Sequence, residues 1–130
     1  MITGSCLCKG YQFEVSGEFG DMMDCHCSMC RKAHGAAYAT FVACNSSDFK
    51  ITQGEELISQ YQSSAEGKRS FCKVCGSNAP MDAGEQVYIP AGLLDGDPGS
   101  RTSAHYFVAS KAPWVEITDD ATQYDEYPSS

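Results

Sequence analysis

Long apolar runs are missing from this 130-residue chain. No stretch approaches the roughly 20 apolar residues needed to cross a bilayer, and the opening MITGSCLCKG has neither the basic n-region nor the apolar h-region of a secretion signal. The expectation is a cytoplasmic chain, off the membrane, whose thiols stay reduced. Basic residues are scarce: nine Lys and Arg face seventeen Asp and Glu, for a formal net charge of -8. Such a surface repels phosphate backbones and anionic headgroups, which excludes nucleic acid and acidic membranes as partners. Internal repeats and low-complexity tracts are also absent, and a chain of this length suits one domain over residues 1–130.

Helical periodicity is scarce as well. Glycines and short polar clusters punctuate the chain, and the segments between them alternate, which predicts a mainly β fold. Tyr11, Phe13 and Val15 alternate with Gln12 and Glu14, the pattern of a strand with one buried face. Further strands are expected at 37–44, at 56–62, at 86–92 and at 104–110, with a turn, short strand and turn over SSDFKITQGEE. SMCRKA, residues 28–33, is the one helical turn. The last few residues of the acidic end DDATQYDEYPSS are expected to be mobile.

What the chain has in excess is cysteine. Seven of its eight cysteines fall into three tight groups, Cys6-x-Cys8, Cys25-x-Cys27-x-x-Cys30 and Cys72-x-x-Cys75, and Cys44 stands alone. Cysteines two or three apart on a tight turn can aim both sulfurs at one ion, whereas a disulfide within Cys-x-Cys would be strained. Gly10 and Gly76 follow the two outer groups and supply permissive backbone. Pairing those groups gives a closed site of Cys6, Cys8, Cys72 and Cys75, the form of a structural zinc. The middle group is left with three thiolates, and three protein ligands plus one exchangeable position is the form of a catalytic zinc. His26, His34 or Cys44 could instead close that site. Two Zn²⁺ per chain are expected. A four-thiolate zinc site adds -2 and a three-thiolate site -1, which takes the formal -8 to about -11. Six of the nine basic residues (Lys9, Arg31, Lys32, Lys68, Arg69 and Lys73) lie within four positions of a cysteine, where cations offset thiolate charge. A thioredoxin-like reading of Cys72-Lys-Val-Cys75 lacks the βαβ context it needs.

GSCLCKG, CHCSMCRKAHGA, FCKVCGS, YIPAGLLD and AHYFVASKAPWVEI, in that order, resemble the glutathione-dependent formaldehyde-activating (GFA) enzyme family, which also contains centromere protein V. The resemblance runs over nearly the whole chain. It implies a fold similar to Mss4, a β-tent of small antiparallel sheets around a structural zinc. It implies the same partition of ligands, with Cys6, Cys8, Cys72 and Cys75 at the structural zinc and Cys25, Cys27 and Cys30 at the active one. The chain departs from the family at Lys9, where glycine is common, and at Asn78-Ala79-Pro80, where an apolar strand is usual. Pro80 cannot donate to a ladder, so that strand is expected at an edge or broken.

The implied activity is that of a zinc-dependent carbon–sulfur lyase or synthase, acting on the adduct of a thiol such as glutathione with a small aldehyde such as formaldehyde. A divalent cation keeps a bound thiol deprotonated near neutral pH, and an electron-rich three-thiolate zinc favours soft sulfur over water. Arg31 and Lys32 are candidates to hold a substrate carboxylate. The resemblance adds His105, Tyr106 and Lys111 as proton donors or anion contacts, with His105 also a candidate core residue. Trp114 is expected to pack. The alternative is a non-catalytic zinc module that binds a protein partner.

Overall fold

A computed structural model describes residues 1–128, so of the expected mobile end Ser129 and Ser130 lie outside the described residues. The strands in chain order are β1 (Ile2–Ser5), β2 (Gln12–Val15) and β3 (Phe19–Cys25). Helix α1 (Ser28–His34) follows, then β4 (Ala39–Asn45), β5 (Phe49–Gln53), β6 (Ile58–Gln62) and β7 (Lys68–Cys72). The chain continues through β8 (Met81–Asp82), β9 (Gln86–Pro90), β10 (Thr102–Tyr106) and β11 (Thr122–Gln123). The fold is mainly β, as expected, in three sheets: β1-β2-β5, the hairpin β6-β7, and a larger sheet ordered β11-β10-β3-β4-β9-β8. Most ladders are antiparallel, while β10 runs parallel to both β3 and β11. No helix among the described residues is long and apolar enough to cross a membrane.

The large sheet separates two clusters of apolar side chains because successive residues of a strand point to opposite faces. On β4, Val42 and Cys44 join Phe13, Val15, Val87 and Ile89 in the larger core, with Cys6 and Cys72 at its margin. Ala39 and Phe41 of the same strand join Met23, Cys25 and Cys30 on the other side. The ladder keeps each set together: Met23 lies opposite Phe41, Cys25 opposite Ala39, and Tyr106 beside Cys25. One strand sequence thus serves a filled core on one face and a second, separate cluster on the other.

Several expected strands stop early for local reasons. The strand expected at 86–92 ends at Pro90 and tightens into a 3₁₀ turn at Ala91–Leu93. That expected at 104–110 breaks after Tyr106, because Phe107 takes a left-handed conformation with φ 59° and leads into a 3₁₀ turn at Val108–Ser110. Glu55–Leu57 is likewise a 3₁₀ turn ahead of β6. Pro80 directly precedes β8, which is two residues long and lies at the edge of the large sheet. The strands β1, β3, β7 and β11 are additions to the sequence reading. Gly20, Asp21 and Asp24 interrupt the alternation of β3, yet Asp24 is buried and accepts a hydrogen bond from Thr40 Oγ1 at 2.6 Å. Trp114, expected to pack, is instead 73% exposed, within the turn closed by the Val115 N–H donating to the carbonyl of the buried Ala112 at 3.1 Å.

Candidate metal centres

Two turns bring the outer cysteine groups together. Lys9 N–H donates to the Cys6 carbonyl at 3.0 Å, and Gly76 N–H, at a residue with φ 79°, donates to the Cys72 carbonyl at 2.8 Å. The Leu7 N–H donates to Ser77 Oγ at 3.0 Å and joins one turn to the other. The sulfurs of Cys6, Cys8, Cys72 and Cys75 consequently all lie within 4.8 Å of one another. The Cys6 and Cys8 sulfurs are 3.5 Å apart, well beyond a disulfide bond. A hydrogen bond with Ser77 lowers the Cys75 thiol to about 5, which makes it an anionic donor at neutral pH. Four crowded soft donors with an ionised member suit a thiophilic cation.

The middle group assembles locally. Cys25 ends β3, Cys27 caps α1 by accepting the Cys30 N–H on its sulfur at 3.2 Å, and Cys30 is buried one turn into the helix. Gly35 closes the helix in a left-handed conformation, with its N–H bonded to the Arg31 carbonyl. These three sulfurs also lie within 4.8 Å of one another. Hydrogen bonding from the Cys25 thiol, and then Arg69 Nη2 at 3.4 Å, lower the Cys30 thiol to about 5, while the donor Cys25 is raised. Here too the donor set fits a cation. Either group of cysteines can hold a metal ion.

None of the three residues weighed as a fourth ligand joins the middle group among the described residues. His26 turns away from the thiols, and its Nε2 lies 2.9 Å from His105 Nδ1. His34 sets its ring edge-on to Phe41, and Cys44 belongs to the core on the opposite face of the sheet.

The three-cysteine group opens into a cavity of about 700 Å³. Its floor is the sheet face carrying Met23, Phe41, Met81, Tyr88 and Tyr106, and its far wall is the β6-β7 hairpin, with Ser63, Ser64, Lys68 and Arg69. Phe107 and Tyr127 close one side, their rings 4.8 Å apart and nearly perpendicular. Burial raises the hydroxyl of Tyr106, which stays protonated at neutral pH.

The candidate substrate residues read from the sequence fall elsewhere. Arg31, Lys32 and His105 are not among the residues that line the cavity. His105 is 3% exposed and lies on the opposite side of β10 from Tyr106; its Nε2 is 3.0 Å from both carboxylate oxygens of Asp119. Lys111 donates through Nζ to the Val115 carbonyl. The cations at the cavity are instead Lys68 and Arg69. In sequence these two stand beside Cys72, and nothing in the spacing ties Arg69 to Cys30, 39 positions away. Only the folding back of β7 reveals that they serve the other cysteine group.

With this arrangement in view, comparison with known proteins is specific. The family model of the glutathione-dependent formaldehyde-activating enzymes matches residues 1–110. The chain belongs to this family. A Halomonas elongata protein that bears the family's name is 32% identical over 128 residues, covering 90% of this chain and 81% of its own. A Schizosaccharomyces pombe protein described as an uncharacterized lyase is 31% identical over 124 residues, covering 93% of this chain and 88% of its own. The crystal structure of a Rhodobacter sphaeroides protein superposes with a TM-score of 0.59 at 27% identity, over 73% of this chain and 89% of that one. Family and relatives together support an enzyme of glutathione and formaldehyde chemistry or a lyase.

Proposed function

We propose that the chain is a zinc-dependent carbon–sulfur lyase or synthase that makes and breaks the adduct between a thiol, glutathione in the first instance, and a small aldehyde. The observation that carries this reading is the three-cysteine group of Cys25, Cys27 and Cys30 facing a cavity, with no fourth protein ligand among the described residues. Cys25, Cys27 and Cys30 would hold one zinc ion, whose bound form supplies a Lewis-acidic centre that keeps a substrate thiol deprotonated. Cys6, Cys8, Cys72 and Cys75 would hold a second ion that ties the fold together.

The chain's own residues do the rest. Lys68 and Arg69 offer cations to the carboxylates of a glutathione-like thiol, and Arg69 also offsets the negative charge gathered at Cys30. The apolar side chains of the floor lower the local polarity, which strengthens each polar contact made against them. As sulfur adds to the aldehyde carbon, the carbonyl oxygen gains negative charge and needs a proton. Tyr106, the ladder partner of Cys25, lines the cavity, and its hydroxyl, kept protonated by burial, would donate a hydrogen bond to that oxygen, with solvent supplying the proton. In cleavage the same hydroxyl stays protonated and hydrogen-bonded to the adduct oxygen, whose own proton leaves to solvent as the carbonyl re-forms and the carbon–sulfur bond breaks.

Formaldehyde and glutathione combine without a catalyst, so the test is a rate. NMR exchange between free and adduct forms is expected to be faster with the metal-loaded protein than in buffer, and Cys27→Ser is expected to abolish the acceleration. Exchange no faster than in buffer across several thiols and aldehydes would discard the lyase reading in favour of a binding module.

A further inference from the structure

The tripeptide of glutathione would take up part of the cavity, yet the lining carries more aromatic surface than a one-carbon aldehyde requires. Formaldehyde adds a single carbon to the thiol sulfur. Beside the three thiols, Phe41, Tyr88, Tyr106, Phe107 and Tyr127 nonetheless supply five aromatic rings to a space of about 700 Å³. They do not fill it themselves. Tyr88, Tyr106 and Phe107 are only half-buried, and Tyr127 is 69% exposed. The opposite face of the same sheet is closed tightly, with Val42 and Ile89 fully buried, so the open face is not a general looseness of packing. The charges are also segregated: Lys68 and Arg69 sit on the hairpin, while the sheet face bears no charged side chain in the cavity. A ligand that suits this division is anionic at one end and aromatic at the other, with sulfur between.

We propose that the preferred aldehyde partner is an aryl aldehyde, its ring lying against Phe41, Tyr88 and Phe107 under Tyr127, while the anionic part of the thiol faces Lys68 and Arg69. This deepens the lyase reading and rests on it. The step is balanced without a further reactant: the thiol S–H adds across the C=O bond, a carbon–sulfur bond forms, and the proton ends on the former carbonyl oxygen. Nothing is oxidised or reduced. Specificity arises because a ring between aromatic walls buries apolar surface and finds edge-to-face partners, which a single carbon cannot do.

Stable thioethers test the subsite apart from catalysis. Titration calorimetry of the full-length, metal-loaded protein would compare S-benzylglutathione with S-methylglutathione. Burial of each methylene-sized group is worth roughly fourfold in affinity, so partial burial of a phenyl ring is expected to give at least about tenfold tighter binding of the benzyl compound. Phe107→Gly removes one wall at a position whose φ of 59° glycine accepts, and is expected to bring the benzyl-to-methyl ratio severalfold toward unity. Tyr88→Ala, on a different strand, should do the same and guards against a folding defect in the first variant. A ratio near one in the wild type, no measurable binding of either thioether, or a ratio unmoved by both variants overturns the proposal. The two readings fail separately. Accelerated formaldehyde–glutathione exchange with a ratio near one removes the aryl preference and leaves the lyase. A high ratio without acceleration for either formaldehyde or benzaldehyde keeps the subsite and removes the lyase.

Discussion

The two cysteine groups are built from the same residue type and are equally compact, yet they differ in where their members come from. Cys8 and Cys72 meet across 64 positions, so the first group closes a long loop and joins the start of the chain to its middle. Cys25, Cys27 and Cys30 come from one strand end and the helix that follows, a segment whose shape is already set by the Cys27 cap and the hydrogen bond of His26 N–H to the Tyr106 carbonyl. Their surroundings differ as well. The first group borders the larger core and the second opens onto the cavity. A long-range group with a full set of four donors can contribute mainly to stability, because it restricts the unfolded chain. A local group with three donors contributes little to chain closure and leaves room for chemistry.

The sharpest way to break this comparison is to remove one thiol from each group. A structural zinc contributes on the order of 10 kcal/mol of metal-coupled folding energy, as much as a whole domain's stability. Cys72→Ser is therefore expected to lose its cooperative thermal transition and its native circular dichroism. Cys27→Ser is expected to stay folded with a melting temperature within a few degrees of wild type. Elemental analysis should find two zinc ions per wild-type chain and one in Cys27→Ser. Equal collapse of the two variants would make the groups equivalent and the cavity incidental.

Arg69 sharpens the contrast at the level of chemistry. Its Nη2 is bonded to Cys30 Sγ, and its Nε is buried without a partner among the described residues. Hydrogen bonds to charged groups contribute about 1.5–3 kcal/mol, and the half-exposed side chain places this one at the low end. Arg69→Gln is expected to slow thiol–aldehyde exchange by about tenfold, with the thermal transition little changed. Arg69→Lys should recover part of the rate, since it restores the charge and not the planar fork. A loss of folding without a specific loss of rate would assign Arg69 to the scaffold instead.

Much of this was legible in the cysteines and little of it in the cations. Tight spacing makes metal-ligand groups local in sequence, so the sorting into Cys6, Cys8, Cys72 and Cys75 on one hand and Cys25, Cys27 and Cys30 on the other follows from turn geometry. The mainly β character was equally plain where Phe13 and Val15 alternate with polar neighbours. Arg31 and Lys32 stood out by adjacency to Cys30, but adjacency on a helix does not make two residues share a face. Arg69 and Lys68 reach the cavity only through the β6-β7 hairpin, and the residues that shape the cavity floor come from β3, β4, β8, β9 and β10. Such long-range register leaves no local pattern in a single sequence. Strand ends were misjudged at Pro90 and Phe107 because a left-handed residue or a 3₁₀ turn is set by what it packs against, here Tyr127 in the case of Phe107.

Those left-handed positions offer the finest test of the comparison. Lys9 and Phe107 are the two non-glycine residues with positive φ among the described residues, one beside each cysteine group. For a residue with a Cβ this conformation costs roughly 1–2 kcal/mol, and glycine recovers most of that while adding about 0.4–1 kcal/mol of freedom to the unfolded chain. At Lys9 the side chain is exposed, and the hydrogen bond its carbonyl accepts from Gln12 Nε2 at 3.2 Å survives substitution. Lys9→Gly is therefore expected to raise the stability of the metal-loaded protein by about 0.5–1 kcal/mol, a few degrees in a thermal melt. Lys9→Ala removes the same charge and keeps the strain, so it should show no gain, which separates backbone relief from electrostatics. At Phe107 the same relief is offset by the loss of a ring packed against Tyr127, so Phe107→Gly should be neutral or destabilising. If instead Lys9→Gly lowers the melting temperature while Lys9→Ala leaves it unchanged, the turn at the four-cysteine group is held by something other than local backbone preference. The strain seen beside it would then be part of how that group is braced.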